Sequence, residues 1–353
     1  MRKPKTSRRS DAPPDRNDRR RPSRNQLTMA RTTTNRPDRR VVWLLILLGG
    51  VTISDRAVDA GEPVKKTFSV VGYLPEYRAR GFDETVCRQL DELVFFSVEP
   101  RADGTLDTSR LKPAMVKQLG QLKRKYCLRL RLCIGGWERS SAFATCCAND
   151  ATRARFIRQM IDFCRSHTFD GVDLDWEHPK GPVQQASYTR LIVETKRAFR
   201  PLRLSVTAAI AGWQQLSPTA AKSLDRIHLM SYDADGRHST LQQARDDIDR
   251  LRRTGIPAER ICLGLPFYGR SLDKKRTAHT YAEIVRRFAP AATVDETNGI
   301  YFNGPSTIRQ KTRLAVSSGL AGVSIWEIGQ DARGPRSLLR VISKSRRGSV
   351  GRP

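Results

Sequence analysis

Four carboxylates lie within residues 170–177, in the segment DGVDLDWE near the middle of the chain. On a β-strand, side chains alternate between two faces, so Asp173, Asp175 and Glu177 point to one side and apolar residues to the other. Like charges this close together cannot all remain ionised, so at least one carboxyl should hold a proton near neutral pH. This spacing indicates a site for acid/base chemistry.

Two other interpretations of the carboxylate cluster are a solvated acidic edge and a Mg²⁺ or Mn²⁺ site, since hard cations bind clustered carboxylates. The apolar residues between the acids argue against a solvated edge, because they would be exposed to water there. A metal site would instead need water and phosphate partners, with histidine as a further ligand. The five histidines show no ligand spacing, and we predict that most are structural or exposed. They are His167, His178, His228, His238 and His279.

The elements that must position this cluster follow from the periodicity of apolar residues. Short runs rich in β-branched residues predict strands at 68–73, 93–98, 128–134, 169–177, 204–210, 226–232, 261–267 and 320–326. Between these runs, apolar residues recur every three or four positions, which predicts helices at 151–167, 188–199, 240–254 and 306–318. Eight such units predict a closed (β/α)₈ barrel, with an α/β fold and parallel strands. The alternative, an open doubly wound sheet, lacks any glycine-rich phosphate-binding motif after a strand.

In a barrel of this kind, chemistry takes place at the C-terminal ends of the strands. The predicted ends carry aromatic and polar residues: Tyr73, Trp137, Glu177, Tyr232, Asp233, Tyr268, Arg270 and Trp326. Aromatic rings stack on the apolar faces of sugars, while hydroxyl groups and charged groups take their hydrogen bonds. A carboxylate cluster walled by such rings therefore favours a carbohydrate ligand.

The segment DGVDLDWE resembles the DGxDxDxE signature of the family 18 glycoside hydrolases, the chitinases and their relatives. The resemblance extends to IGGW at 134–137, MSYD at 230–233, GLPFYGR at 264–270, and GVSIW at 322–326 with Asp331. It covers about residues 67–343 and implies a single catalytic barrel within 61–353. It also implies that no metal or cofactor is required.

The resemblance implies a retaining, substrate-assisted reaction, an exception to the scheme with two enzyme carboxylates. Glu177 would be the general acid, Asp175 would accept a hydrogen bond from the substrate's acetamido N–H, and Tyr232 would donate to the acetamido oxygen. Asp173 and Asp170 would lie behind Asp175, where they share a proton and tune its charge.

Further substrate contacts are carried over from the resemblance. Trp326 would form the floor under the distorted sugar. The other cleft-lining positions implied are Tyr73, Trp137, Asp233, Tyr268 and Arg270.

The expected reaction is hydrolysis of β-1,4 linkages next to N-acetylglucosamine in chitin or chito-oligosaccharides. The short gap between Arg270 and a predicted helix at 281–288 leaves no room for the small α+β domain that many chitinases insert, so we expect a shallow cleft. Endo-β-N-acetylglucosaminidase and peptidoglycan hydrolase activities stay open. A non-catalytic lectin is the alternative of another class, but lectin relatives lack the acid that Glu177 supplies here.

The N-terminal segment differs in composition from the rest of the chain. The net charge is +28, of which residues 1–40 contribute +10. This Pro-, Arg- and Ser-rich stretch predicts a disordered basic tail. Because no aromatic residue interleaves its charges, we expect no nucleic-acid partner. The remaining +18 fits attraction to an anionic wall or glycan, although a solvated basic surface is the simpler explanation.

Residues 41–60 combine an apolar run with small residues near Ala60, as in a signal peptide. The run is too short for a comfortable transmembrane helix. If translation starts at Met29, residues 29–40 form an ordinary basic leader. We therefore predict a secreted or cell-envelope protein cleaved near Ala60, acting as a monomer without a stable membrane partner; a retained signal anchor is the alternative.

Seven cysteines are scattered without the spacing of a zinc site. Export would permit disulfides, and an odd count leaves at least one thiol unpaired within a single chain. We predict that Cys133 and Cys262, which lie in apolar strand-like runs, are free and buried. In the family, the position of Cys133 often carries Ser.

Overall fold

The structure is a computed structural model and describes residues 68–347. The predicted basic tail at 1–40 and signal segment at 41–60 lie outside the described residues. Within residues 68–347, no helix has both the length and the apolar character needed to cross a membrane.

The strands of the described chain are β1 (Ser69–Pro75), β2 (Glu92–Pro100), β3 (Leu106–Asp107), β4 (Arg129–Gly135), β5 (Gly171–Asp175), β6 (Ser205–Ala211), β7 (Arg226–Met230), β8 (Ile261–Pro266), β9 (Tyr268–Ser271), β10 (Ala278–Thr280), β11 (Glu296–Thr297), β12 (Ile300–Tyr301) and β13 (Gly322–Trp326). Its α-helices are α1 (Glu76–Ala79), α2 (Pro113–Tyr126), α3 (Phe143–Cys146), α4 (Asp150–Ser166), α5 (Gly181–Phe199), α6 (Pro218–Ser223), α7 (Leu241–Arg253), α8 (Tyr281–Phe288), α9 (Pro305–Ser317) and α10 (Leu338–Arg347). Short 3₁₀ turns occupy Glu84–Gln89, Arg200–Leu202, Ala258–Arg260, Ile328–Gln330 and Gly334–Arg336.

Eight of these strands form a closed parallel barrel, in the order β1, β2, β4, β5, β6, β7, β8 and β13. β1 pairs in parallel with both β2 and β13, so the sheet has no free edge. Each barrel strand overlaps its predicted run, and α4, α5, α7 and α9 overlap the four predicted helices. The predicted (β/α)₈ barrel is therefore confirmed.

Because side chains alternate between the two faces of each barrel strand, the strands contribute to two separate hydrophobic cores. Residues of the barrel strands that point outward, such as Val70, Leu93 and Val172, pack against the surrounding helices in the large core. Residues that point inward form a smaller cluster inside the barrel: Val71, Tyr73, Val94, Phe96, Cys133 and Cys262. Cys133 and Cys262 are free and buried, as predicted.

The N-terminal ends of the strands close the barrel with buried charge. Glu92 on β2 is 1 % exposed and forms ion pairs with Arg131 on β4 and Arg226 on β7. A buried carboxylate is costly unless cations compensate it, and here two guanidinium groups do so. These ion pairs fill the barrel interior at this end.

A small antiparallel sheet, in the order β10, β9, β12 and β11, lies between barrel strands β8 and β13 and carries α8. The helix expected at 281–288 is α8, but the four short strands beside it were not predicted. The strands are only two to four residues long, too short for the alternation that reveals a strand in sequence. β9 begins at Tyr268 and carries Arg270 to the edge of the cleft described below.

Candidate active site

A cleft of about 1580 Å³ opens at the C-terminal ends of the barrel strands. Eight of the eleven residues predicted to form the site line it: Tyr73, Trp137, Asp175, Glu177, Tyr232, Asp233, Arg270 and Trp326. The C-terminal ends of six barrel strands and the segments after them thus bring together residues that are far apart in the sequence. The other three, Asp170, Asp173 and Tyr268, do not line the cleft.

Glu177 follows the end of β5 and is held through its backbone. Its N–H donates to the hydroxyl oxygen of Ser140 at 3.0 Å, and Ser140 Oγ also lies 3.0 Å from the carbonyl oxygen of Asp175. The Glu177 side chain is 15 % exposed. Burial first, and then the negative charge of Asp233, raise the pKa of Glu177 to about 7, although a backbone hydrogen bond from Trp137 opposes them. Glu177 can therefore carry a proton near neutral pH and give it up readily.

Asp175, the last residue of β5, is more deeply buried, with 3 % exposure. Its Oδ2 lies 4.0 Å from the thiol of Cys133, and its Oδ1 has no hydrogen-bond partner among the described residues. Burial, followed by the charges of Glu177 and Asp173, raises the pKa of Asp175 well above its ordinary value. An unpaired buried oxygen next to an open cleft is available to a ligand N–H.

Asp173 occupies the level below, inside the barrel. It accepts hydrogen bonds from the Tyr73 hydroxyl at 2.6 Å and from the Thr207 hydroxyl, and lies 3.1 Å from Nδ1 of His228. Burial would raise its pKa, but the charge and hydrogen bond of His228, together with the bonds from Thr207 and Tyr73, lower it instead. Asp173 is thus the ionised carboxylate of the cluster.

The expectation that Asp170 shares a proton with Asp173 is wrong. Asp170 precedes β5, at the opposite end of the barrel from Glu177, where it accepts from Lys123 Nζ at 2.7 Å and from the backbone N–H of Leu130 at 2.8 Å. Parallel strands place their first residues at the barrel bottom, so a carboxylate seven residues before Glu177 cannot reach the cleft. Asp170 ties α2 and β4 to β5.

We therefore expect Asp170→Asn to leave turnover within about twofold of the native value and to lower the free energy of unfolding by about 1 kcal/mol, because it weakens one exposed ion pair and one hydrogen bond. Kinetics and thermal unfolding of the purified variant test both parts. Lys123→Met should reproduce the stability loss. A tenfold loss of turnover in Asp170→Asn would restore a role for this residue in the site.

Aromatic residues and Tyr232 shape the rest of the cleft. The ring of Trp326 packs against Phe96 at 4.6 Å and Tyr73 at 5.8 Å between centroids, which holds it across the barrel mouth. Tyr232 passes over Gly264, where a Cβ would come within 2.9 Å of the tyrosine ring. Its hydroxyl has no hydrogen-bond partner among residues 68–347 and is free to donate to a ligand. Trp137 stands at the rim with 69 % exposure.

The prediction that Tyr268 lines the cleft is also wrong. Its side chain is 4 % exposed and packs behind Tyr232, with ring centroids 6.2 Å apart, and beside His238 at 5.1 Å. The guanidinium of Arg270 lies 5.5 Å from its ring centroid and pairs with Asp233 at the cleft edge. Tyr268 therefore supports the wall that Tyr232, Asp233 and Arg270 present.

Several residues of the site were not predicted. His228 and His178 both line the cleft, contrary to the expectation that most histidines are structural or exposed. The position of His228 was predictable, because side chains alternate along a strand and residues 228 and 232 therefore lie on the same face. No sequence signal pointed to Ser140.

The surroundings of His178 add polar and aromatic contacts next to the acid. Its Nε2 lies 3.6 Å from Glu177 Oε2, and its Nδ1 lies 3.1 Å from Gln214 Oε1. Its ring packs against Trp213, with centroids 4.6 Å apart, and Trp213 is 64 % exposed at the rim. Tyr77 is a further exposed ring lining the cleft. Trp213 lies in the loop after β6 and Tyr77 lies in the short helix α1, and neither position relative to the barrel has a local sequence signature.

Within residues 68–347, no group of three or more histidine, cysteine, aspartate or glutamate side chains is arranged to hold a metal ion. Asp233 at the cleft pairs with the guanidinium of Arg270, and Asp173 behind it contacts the Tyr73 hydroxyl and the His228 imidazole. Proton transfer and hydrogen bonding by these side chains are the chemistry that this arrangement supports.

The fold and the site define a (β/α)₈ glycoside hydrolase barrel, and the comparisons agree. The family model for glycosyl hydrolases family 18 matches residues 69–331, so the chain belongs to this family and the resemblance noted in the sequence is confirmed. A curated relative is "Probable chitinase 2" of Drosophila melanogaster, 29 % identical over 378 aligned positions that cover 82 % of this chain and 78 % of that protein.

Solved structures show the same barrel. The family 18 chitinase ChiB from the chitin utilization locus of Flavobacterium johnsoniae superposes with a TM-score of 0.72 at 25 % identity, covering 79 % of this chain and 94 % of that one. A mutant family 18 chitinase of Cycas revoluta, solved in complex with (GlcNAc)₄, gives a TM-score of 0.70 at 21 % identity, covering 80 % and 100 %. At that identity the second likeness concerns the fold alone.

Proposed function

We propose that this protein hydrolyses β-1,4 linkages next to N-acetylglucosamine in chitin or chito-oligosaccharides. The observation that carries the proposal is the arrangement of Glu177, Asp175 and Tyr232. A carboxyl with a pKa of about 7, a buried carboxyl oxygen without a partner and an unpaired hydroxyl all face one cleft. These groups match the demands of an N-acetylated sugar: a proton for the leaving oxygen, an acceptor for the acetamido N–H and a donor for its carbonyl. Family membership and the chitinases among the relatives support the same reaction.

In the proposed first step, Glu177 gives its proton to the glycosidic oxygen while the substrate's acetamido oxygen attacks C1 from the opposite face. The bond from C1 to the leaving oxygen breaks, and a bicyclic oxazolinium forms. Asp175 accepts from the acetamido N–H, which orients the amide and stabilises its positive charge. Tyr232 donates to the acetamido oxygen and places it for attack, and Trp326 supports the sugar from below.

In the second step, the Glu177 carboxylate takes a proton from a water molecule, which attacks C1 and opens the oxazolinium. Because C1 is inverted twice, the anomeric configuration is retained. Asp173, kept ionised by His228 and Tyr73, lies beneath Asp175 and opposes a second negative charge there. Burial and the charges of Glu177 and Asp173 together raise the pKa of Asp175.

Turnover is expected to fall as the pH rises through about 7, because Glu177 must be protonated to act and burial raises its pKa to about 7. The protonated form predominates below this pKa and is lost above it, so the alkaline limb of the kcat/KM profile reports the acid of the free protein. Initial rates on a chito-oligosaccharide, measured across neutrality in buffers of constant ionic strength, test the prediction. A rate that stays constant well above neutrality contradicts it.

The substrate class is tested by product analysis on three substrates side by side: chitin oligomers, a high-mannose glycopeptide and peptidoglycan. Cleavage of the chitin oligomers with the β-anomer formed first supports the proposal. Preferential release of the glycan or of muropeptides would instead support an endo-β-N-acetylglucosaminidase or a peptidoglycan hydrolase. Tight binding of chitin oligomers without any cleavage would identify a lectin.

We further propose that residues 41–60 direct export and that the barrel of 61–353 acts outside the cell as a monomer. The apolar run followed by small residues near Ala60 supports export. N-terminal sequencing of protein recovered from the medium should begin close to Gly61. Recovery of the full chain in the membrane fraction would instead favour an anchor.

A further inference from the structure

A second cavity of about 570 Å³ lies outside the barrel, between α8, α9 and α10, and shares no lining residue with the active-site cleft. Small and ring-shaped apolar residues contribute much of its wall: Ala289, Pro290, Ala291, Ala292, Pro305, Pro335 and Val341. Four cationic side chains also line it: Arg309, Arg336, Arg340 and Lys344. No carboxylate of the described chain does so. We call this cavity the basic pocket.

The charge of the basic pocket is not compensated by the protein. Arg309, Arg340 and Lys344 are exposed and have no ion-pair partner within residues 68–347. The guanidinium of Arg336 forms a single long hydrogen bond within this part of the chain, from its Nη1 to the carbonyl oxygen of Pro290 at 3.5 Å. Arg340 and Lys344 lie four residues apart on α10, a spacing at which like charges destabilise a helix. The pocket therefore gathers cations at a cost that a bound anion would remove.

The arginines at the active-site cleft differ from those of the basic pocket. Arg139, Arg270 and Arg276 all line the cleft, and each forms an ion pair with a carboxylate of the chain. A cluster of uncompensated arginine side chains around one cavity thus distinguishes the α8–α10 face from the cleft. The overall net charge of +28 does not by itself explain it.

We propose that the basic pocket binds an acidic polysaccharide through a sulfate or phosphate ester on one of its sugars. A guanidinium group presents paired N–H donors that match the oxygens of such an ester. Several guanidinium groups around one cavity can bind a single ester from different sides. The alanine and proline side chains offer an apolar wall for the sugar ring. This inference goes beyond the proposed function, because the N-acetylglucosamine units expected in the cleft carry no charge.

Two other polyanions fit the pocket less well. Single-stranded nucleic acid binds where exposed aromatic rings stack on bases, but the one aromatic lining residue, Tyr281, is 2 % exposed. A membrane surface is held by exposed apolar side chains next to basic ones. None of the exposed large hydrophobic residues of the described chain lines the pocket.

The test compares two triple variants of the full chain that carry the same net charge. The pocket variant combines Arg309→Gln, Arg340→Gln and Lys344→Gln. The control variant combines Arg158→Gln, Arg197→Gln and Lys222→Gln, which remove exposed cations without ion-pair partners in the described chain from α4, α5 and α6. All substitutions are at exposed positions, and the basic N-terminal segment is common to every protein compared.

Binding of a purified, sulfated heparin-derived tetrasaccharide is measured by calorimetry at about physiological ionic strength, where non-specific attraction is screened. We expect the pocket variant to bind at least about tenfold more weakly than the native chain and the control variant to stay within about twofold. A tetrasaccharide carrying phosphate in place of sulfate distinguishes the two esters. Turnover of chito-oligosaccharides should be unchanged in both variants, so this test is independent of the proposed activity.

An equal loss in both variants, or no loss in the pocket variant, would overturn the proposal, since net charge alone would then explain binding. The proposal would also fail if a single-stranded oligonucleotide or phosphatidylserine vesicles depended on the pocket residues more strongly than the tetrasaccharide does. Thermal unfolding of both variants shows whether each is folded. If the triple variant does not fold, Arg340→Gln alone should still weaken binding measurably.

Discussion

Glu177→Gln is expected to lower the turnover of chito-oligosaccharides by about 10²- to 10⁴-fold or more while leaving their binding nearly intact, because the amide cannot supply the proton that the leaving oxygen needs. The replacement is close in size, and Ser140 holds residue 177 through its backbone N–H, so the geometry of the cleft should persist. Kinetics of product formation and calorimetric titration with a chito-oligosaccharide measure the two quantities separately.

Glu138 provides a matched control for this substitution. It is an exposed carboxylate that lines the same cleft. Glu138→Gln removes the same charge without removing the acid, so its turnover should remain close to that of the native protein. Unchanged turnover in Glu177→Gln would refute the assignment of the general acid, whereas loss of both binding and turnover would indicate a damaged cleft.

Asp175→Asn is expected to lower kcat by about 10²- to 10³-fold, the usual loss when a group aimed at developing charge is removed. Asparagine retains an oxygen for the acetamido N–H but cannot balance the positive charge of the oxazolinium. Initial rates of the purified variant on a chito-oligosaccharide measure the loss of kcat.

Stability distinguishes this result from misfolding. Burial raises the pKa of Asp175, so its ionised form opposes folding at neutral pH, and Asn removes that cost. We therefore expect the thermal midpoint of Asp175→Asn to equal or exceed the native value. Asp235→Asn, which alters an exposed carboxylate paired with Arg276 at the same cleft, is the control and should retain turnover. An Asp175→Asn protein with native kcat would contradict the role assigned to this residue.

Both predictions depend on opposite environments for two carboxylates on one face of β5. Asp173 is surrounded by donors and lies next to His228, which lowers its pKa. Asp175, two residues later, lacks comparable donors and is repelled by Glu177 and Asp173, which add to the effect of burial and raise its pKa. Neighbouring carboxyls whose pKa values are moved apart can divide the roles of acid and anion. The barrel interior, and not the acidic motif alone, creates that difference.

The sequence by itself determined the family, the eight barrel strands and the face on which Asp173, Asp175 and Glu177 lie. These properties depend on local patterns: the DGxDxDxE signature, apolar runs and a side-chain period of two. Eight of the eleven site residues that it predicted line the cleft, since parallel strands end on the same side of a barrel. The short strands β9–β12 gave no such pattern and were not predicted.

Only the tertiary structure decided what each polar group touches. Tyr73 and His228 meet at 2.7 Å although 155 positions separate them, and Ser140 supports Glu177 from a loop 37 positions away. Asp170 belongs to the same acidic motif as Glu177 but bonds to Lys123 at the far end of the strand, and Tyr268 lies behind the wall it was expected to form. Sequence periodicity reports the face of a strand, whereas depth along the barrel and contacts between strands arise only when the sheet closes.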